Sequence, residues 1–171
     1  VRGIDPNPVH PAASPAPGFS YPHLFAPDTN QEVVVRAALM TVSQQAGYSL
    51  RQRRLACRRI AVALRYTDGV LVTRQAVAPA PVCDDPGLQQ LACTALYRAW
   101  HRRVRLRQLT VSCSLLQHPV QQLSLFAVVD PTPQKNRRLS EAVDAIRSRC
   151  GRHAILRGGQ QPLAGDGAAS P

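Results

Sequence analysis

Lysine is all but missing from this chain: Lys135 is the only one, although Lys+Arg number 21 against 10 Asp+Glu. Acidic residues are too few and too scattered for a metal-dependent active site, which needs clustered carboxylates. The only adjacent pair, Asp84-Asp85, opens a helical pattern, and capping explains it. Phe, Trp and Tyr together make up 5% of the residues. No stretch approaches the roughly 20 apolar residues that span a bilayer, and the Pro-rich N-terminus is not a signal peptide. The five cysteines, Cys57, Cys83, Cys93, Cys113 and Cys150, include no CxxC pair. Odd in number and widely spaced, they predict reduced core thiols of a cytoplasmic protein, neither a disulfide framework nor a zinc site. The five histidines are equally scattered. The chain on its own is expected to be no enzyme, to need no cofactor and to be monomeric.

What is present is arginine. The formal net charge of the 171 residues is +11, and nearly all the basic groups are planar guanidiniums, which suit bidentate phosphate recognition. A polyanionic partner follows, against the alternative that a GC-rich genome inflates Arg, Ala, Gly and Pro together.

The length fits one domain with tails. Residues 1–18 hold five prolines, which restrict the chain to extended conformations, and predict a linker from a preceding domain. Residues 159–171, rich in Gly, Pro and Ala, predict disorder. Between them, Phe19–Ala26 is a short strand. Thr29-Asn-Gln-Glu32 is a capping box, opening a helix with Val35, Leu39, Val42 and Ala46 on one stripe and Gly47 as its stop. Ile60, Val62, Leu64 and Tyr66 alternate with Arg59, Ala61, Ala63 and Arg65, the pattern of a half-buried strand. Asp68-Gly69 is a hairpin turn, and Val70–Val77 returns beside it. After an Ala/Pro loop, Asp85 as N-cap and Pro86 open a second helix with the stripe Leu88, Leu91, Ala92, Ala95, Leu96, Ala99. Val104–Leu115 alternates again, but Leu109, Val111 and Cys113 are one residue out of phase with Val104 and Leu106. That slip predicts a bulge near Arg107 or Gln108.

The order β-α-β-β-α-β predicts an α+β, ferredoxin-like fold over residues 19–116: a four-stranded antiparallel sheet with two helices on one face and the other face open. Arg59, Arg65, Arg105 and Arg107 lie outward beside small residues, so a phosphate backbone can approach the sheet closely. Arg74 joins them as a candidate. RNA-recognition domains of this topology stack bases on exposed aromatics, whereas Tyr66 shares the inward phase of Ile60 and Leu64. Contact with the sugar–phosphate backbone, indifferent to sequence, is the expectation.

Residues 117–135 carry Gln122-Leu123-Ser124-Leu125-Phe126 between Pro119 and Pro131. Three large apolar side chains here, worth roughly 1.5–3 kcal/mol each on burial, form either a satellite strand of the domain or a linear motif that enters a partner's pocket. In residues 136–158, Leu139, Val143, Ile146 and Cys150 form the stripe of a short helix ended by Gly151, expected to dock with its apolar side inward.

The pentapeptide Gln122-Leu123-Ser124-Leu125-Phe126 resembles the bacterial sliding-clamp binding motif at every position. Around it, Val1-Arg-Gly-Ile-Asp-Pro6 is similar to the exit from a polymerase thumb and Phe25-Ala-Pro-Asp-Thr29 to the start of a little-finger domain. Leu64-Arg-Tyr-Thr-Asp-Gly69 is similar to that domain's hairpin, and Val104-Arg-Leu-Arg-Gln-Leu-Thr-Val-Ser112 to its last strand. Over residues 1–158 the chain resembles the C-terminal region of a bacterial Y-family translesion DNA polymerase of the DNA polymerase IV or UmuC kind. The resemblance implies a little finger that lies along the major groove of primer–template DNA and holds backbone phosphates, with Arg59, Arg65, Arg74, Arg105 and Arg107 as counterparts by position. It implies a sliding clamp as second partner, a role in translesion synthesis and DNA repair, and Mg²⁺ and catalytic carboxylates only in a palm outside this chain. Two alternatives stay open: the same region of a polymerase-like accessory protein that has lost its catalytic acids, and a free-standing basic RNA-binding module with the pentapeptide packed.

Overall fold

The computed structural model describes residues 18–118, 132–151 and 154–155. The elements run β1 (Phe19–Thr29), α1 (Glu32–Gln52), β2 (Ala56–Tyr66), β3 (Leu71–Val82), α2 (Asp85–Ala99), β4 (Leu106–Gln117) and α3 (Thr132–Cys150). The strands form one antiparallel sheet in the order β1-β4-β2-β3. Two split β-α-β units interleave: α1 joins β1 to β2 across β4, and α2 joins β3 to β4 across β2. The α+β architecture is the one expected, with a third helix longer than its apolar stripe implied. Among the described residues no helix is long and apolar enough to cross a membrane.

One core lies between the sheet and the two helices. Val35, Leu39, Val42 and Ala46 from α1 and Leu88, Ala92, Ala95, Leu96 and Ala99 from α2 close over Ile60, Val62, Leu64, Leu109, Val111 and Cys113. Tyr66 is buried among them, its hydroxyl donating to the Ala99 carbonyl at 3.5 Å. Cys57 and Cys113 are buried neighbours as free thiols, and their mutual hydrogen bond and the surrounding apolar residues push the Cys57 thiol well above its usual range.

Helix boundaries depart from the sequence reading in instructive ways. The N-cap of α1 is Gln31, and Thr29 Oγ1 accepts from the Gln31 amide at 3.1 Å instead of reaching into the helix. Glu32 thus stands at the first helical position, where its charge favours the helix N-terminus and pairs with Arg36 at 3.5 Å. Gly47 does not stop α1, which runs on to Gln52. A Cβ at Gly47 would stand 2.7 Å from Asp85 Oδ1 and 3.0 Å from Leu88 Cδ1. The glycine is there because α2 crosses α1 at that point, not because the helix ends. The cap of α2 is Asp84, one residue earlier than expected, its carboxylate accepting from Gly87 N–H at 2.9 Å. The Ala/Pro stretch after Val77 is strand, not loop: β3 extends to Val82, and its prolines are tolerated because β3 is an edge.

His23 on β1 sits edge-on to Phe25, ring centroids 5.0 Å apart, and burial lowers its pKa from 6.5. The folded state then binds fewer protons than the unfolded chain on the acid side of 6.5, so stability present above that pH is lost as pH falls through the lower, folded value. Urea titrations at pH 7.5 and 5.5 should show that loss, and His23→Leu should reduce the difference between the two.

Candidate nucleic-acid interface

The open face of the sheet is assembled by strand alternation from β2, whose inward residues Ile60, Val62, Leu64 and Tyr66 force Arg59, Ala61, Ala63 and Arg65 outward. Register fixes their neighbours. Ala61 lies between Ser112 and Gln75, and Ala63 between Thr110 and Thr73. Arg65 lies between Gln108 and Leu71, and Arg59 between Ser114 and Val77. Small and polar side chains thus form the middle of the face, with the guanidiniums of Arg59 and Arg65 on either side of it along β2.

The phase slip in β4 is a bulge. Tyr66 pairs with Leu106 and Arg65 with Gln108, so Arg107 is the extra residue. Leu106 and Leu109 both remain in the core, and between them Arg107 and Gln108 are consecutive residues of the open side. Arg107 donates to Asp28 at 3.4 Å, an exposed pair of little energetic weight. Arg105 is exposed, and its carbonyl accepts from Thr67 N–H at 3.0 Å, joining the start of β4 to the β2–β3 turn. The same turn is clipped by Arg102, which donates to Asp68 at 2.6 Å and lies 5.0 Å above the Tyr66 ring. Its hydrogen bond, with that of Val70 N–H, holds the Asp68 carboxyl below its usual range. Gly69, at φ +85, supplies the left-handed residue this turn requires.

Three of the five arginines singled out from sequence therefore share one side of the sheet, Arg59, Arg65 and Arg107, and Arg105 is exposed at the residue before β4. Arg74 does not share that side. It pairs with Val62, a core residue, and directly paired residues share a face, so Arg74 belongs to the helix side at the β3 edge, where it donates to its neighbour's carbonyl, Thr73 O, at 2.9 Å. Arg59 is half-buried, and its Nε has no hydrogen-bond partner among the described residues. A buried donor left unpaired costs on the order of 1–3 kcal/mol. Sequence reasoning missed the exposed Leu71, Val77 and Leu24 on this face; these edge strands carry large apolar residues on the open side as well as on the core side, so hydrophobicity alone does not separate their two faces. The pentapeptide Gln122–Phe126 lies outside the described residues, as do most of the predicted linker and the C-terminal tail.

α3 docks against the helical layer, away from this face, and it does so with polar side chains. Ser140 is buried and its hydroxyl accepts from Asp85 N–H at 3.2 Å. Asp144 accepts two bonds from Arg51 at 2.6 and 3.0 Å. Leu139 and Ile146 of the expected inward stripe are instead exposed. The apolar stripe is not the docking side, because the Arg51–Asp144 pair turns the helix away from it.

The family of impB/mucB/samB C-terminal domains matches residues 20–125 of this chain. DNA polymerase IV from two strains of Dehalococcoides mccartyi, CBDB1 and BAV1, is 27% identical over 159 residues in each case. That alignment covers 92% of this chain and 40% of the relatives, so the chain spans about two fifths of their length. Among solved structures, the little finger domain of PolIV in complex with the beta-clamp processivity factor aligns over 64% of this chain and 99% of that one, at 18% identity and a TM-score of 0.49. A DinB family error-prone DNA polymerase from Sulfolobus solfataricus aligns over 58% of this chain and 29% of that one, at 13% identity and a TM-score of 0.48. The chain belongs to the impB/mucB/samB C-terminal domain family.

Proposed function

We propose that this region grips primer–template DNA through its backbone phosphates and tethers its parent, a Y-family polymerase acting in translesion synthesis and DNA repair, to a sliding clamp. The observation that carries the DNA half is the open sheet face with arginine on either side and small residues between. Arg59 and Arg65 are six residues apart on β2, about 20 Å at the rise of a strand. That exceeds the roughly 12 Å width of a B-DNA major groove, so the two guanidiniums reach the two backbones on either side of it while Ala61, Ala63, Thr110 and Ser112 lie over the opening. Arg105 and Arg107 add charge at the Arg65 end, and the net charge of +11 supplies long-range attraction. The clamp half rests on Gln122-Leu123-Ser124-Leu125-Phe126. Phosphoryl transfer, with its Mg²⁺ and carboxylates, belongs to the part of the parent beyond this region.

Because binding to phosphates releases counterions, the double variant Arg65→Ala, Arg105→Ala should weaken duplex binding almost uniformly across sequences. It should also flatten the log–log salt dependence by about 0.9 for each phosphate no longer neutralised. Fluorescence anisotropy over a salt series measures both. Arg74→Ala, on the helix side, should leave the slope nearly unchanged. A double variant with wild-type slope, or an Arg74 variant with the larger effect, would remove this face as the grip.

A further inference from the structure

The phosphate grip does not account for the apolar side chains on the same face. Across the β2–β3 ribbon, Arg65 stands opposite Leu71 and Arg59 opposite Val77. Leu71 is 56% exposed and Val77 52%, so neither belongs to the core. On the β4 side the same two arginines have polar neighbours, Gln108 and Ser114. Leu24 on β1, paired with Gln108, continues the Arg65 row with another exposed apolar group. Each of these two guanidiniums on β2 therefore has one polar neighbour on β4 and one exposed apolar neighbour on β3.

A nucleic-acid backbone alternates in the same way, phosphate then sugar. Cross-strand neighbours have Cβ atoms about 5 Å apart, close enough for a guanidinium on a phosphate and an apolar side chain on the adjoining sugar. The sugar's identity then matters. At its 2′ position deoxyribose presents only hydrocarbon, whereas ribose presents a hydroxyl that is both donor and acceptor. Packed against leucine or valine that hydroxyl would lose water and gain no partner.

We propose that the pairs Arg65–Leu71 and Arg59–Val77 each read a phosphate together with its sugar, and that the apolar member selects a deoxyribose backbone over a ribose one. The selection rests on the DNA-binding reading above and adds a discrimination that phosphate recognition alone does not give.

The test compares two duplexes of one sequence, all-DNA and an RNA–DNA hybrid, with the intact chain and with Leu71→Thr, Val77→Thr. Threonine keeps the β propensity of both positions, and a thermal melt checks that the fold is retained. The wild-type chain should bind the all-DNA duplex several-fold more tightly. The variant should lose about fourfold on DNA for each methylene no longer buried, lose less on the hybrid, where only one of the two backbones is deoxyribose, and keep its salt slope. The hybrid's different helical geometry acts on both proteins alike, so the change in the DNA-to-hybrid ratio between them is the readout. Equal losses on both duplexes, or none, would overturn sugar selection while leaving the phosphate grip intact. Absence of salt-dependent duplex binding by the wild-type chain would overturn the DNA reading, and sugar selection with it.

Discussion

Replacing Arg51 with methionine is expected to destabilise the domain by roughly 3–5 kcal/mol, the range found when one partner of a buried ion pair is removed. Arg51 lies in the last turn of α1 and joins three helices at one point. Its Nη1 donates to Asp85 Oδ1 at 2.7 Å and to the Cys83 carbonyl at 2.8 Å, and its Nε and Nη2 reach both oxygens of Asp144 on α3. The side chains of Arg51, Asp85 and Asp144 are 6%, 1% and 12% exposed. Burial alone would work against the guanidinium charge, but the bonds to Asp144 and Asp85 outweigh it and hold the group protonated above its usual pKa. Without Arg51 two carboxylates would remain in a dry site with no guanidinium between them, and the N-terminus of α2 offsets only part of the Asp85 charge. Gly47 serves the same junction, since a Cβ there would stand 2.9 Å from Arg51 Nη1. Urea denaturation of Arg51→Met measures the loss. A change under about 1 kcal/mol would mean that the pair behaves as a surface salt bridge and that α3 is held by something else. Asp144→Asn keeps the shape and removes one charge, so it should cost less than Arg51→Met.

That junction also marks the limit of what the sequence discloses. Strands are legible because their pattern is local. The alternation from Ile60 to Tyr66 survives intact in the fold, and the slip between Leu106 and Leu109 narrows the bulge to Arg107 or Gln108, which the pairing resolves to Arg107. The Asp68-Gly69 turn is legible because one residue with φ above zero is a local requirement. Gly47 misleads for the opposite reason: its meaning depends on Asp85, which meets it only after the two helices pack. α3 misleads similarly, because the residue that orients it, Arg51, is 93 positions from Asp144. An apolar stripe outvotes a single serine and aspartate in any periodicity argument, yet here the buried charges decide. At the candidate site, Arg59 and Arg65 follow from the alternation of β2, and Arg105 and Arg107 from the phase slip at the start of β4. Arg74 needs the register, because the buried side of β3 is lined by small Ala76 and Ala78 while Leu71 and Val77 are exposed, so its hydrophobic pattern carries little phase information.

Gln122→Ala, Leu125→Ala, Phe126→Ala should abolish binding of this chain to a bacterial sliding clamp, against saturable micromolar binding by the wild type. Burial of a leucine and a phenylalanine is worth roughly 1.5–3 kcal/mol each, so losing both costs on the order of a hundredfold or more. That moves a micromolar complex beyond the range of an ordinary titration. Concentration of the energy in two apolar anchors is what a short linear motif requires, since it has no wide interface over which to spread it. DNA affinity and its salt slope should be unchanged in the same variant, because none of its three positions is an arginine of the open face. The flanking residues bear on the geometry. His118 meets the Arg54 carbonyl through Nδ1 at 3.2 Å, and α3 is fastened to Arg51, so the chain on both sides of the pentapeptide is anchored at the C-terminal end of α1. Arg65, Arg105 and Arg107 stand at the other end of β2, and Arg59, nearer that anchor, lies on the open face of the sheet, opposite the helical layer on which α3 docks. Clamp and DNA should therefore bind together, and a clamp-saturated chain should titrate a primer–template with nearly its free affinity. Mutually exclusive binding would place the two sites on one surface and contradict this arrangement. Failure of both the wild type and the variant to bind the clamp would make the pentapeptide a packed segment and leave the arginine face as the whole of this region's function.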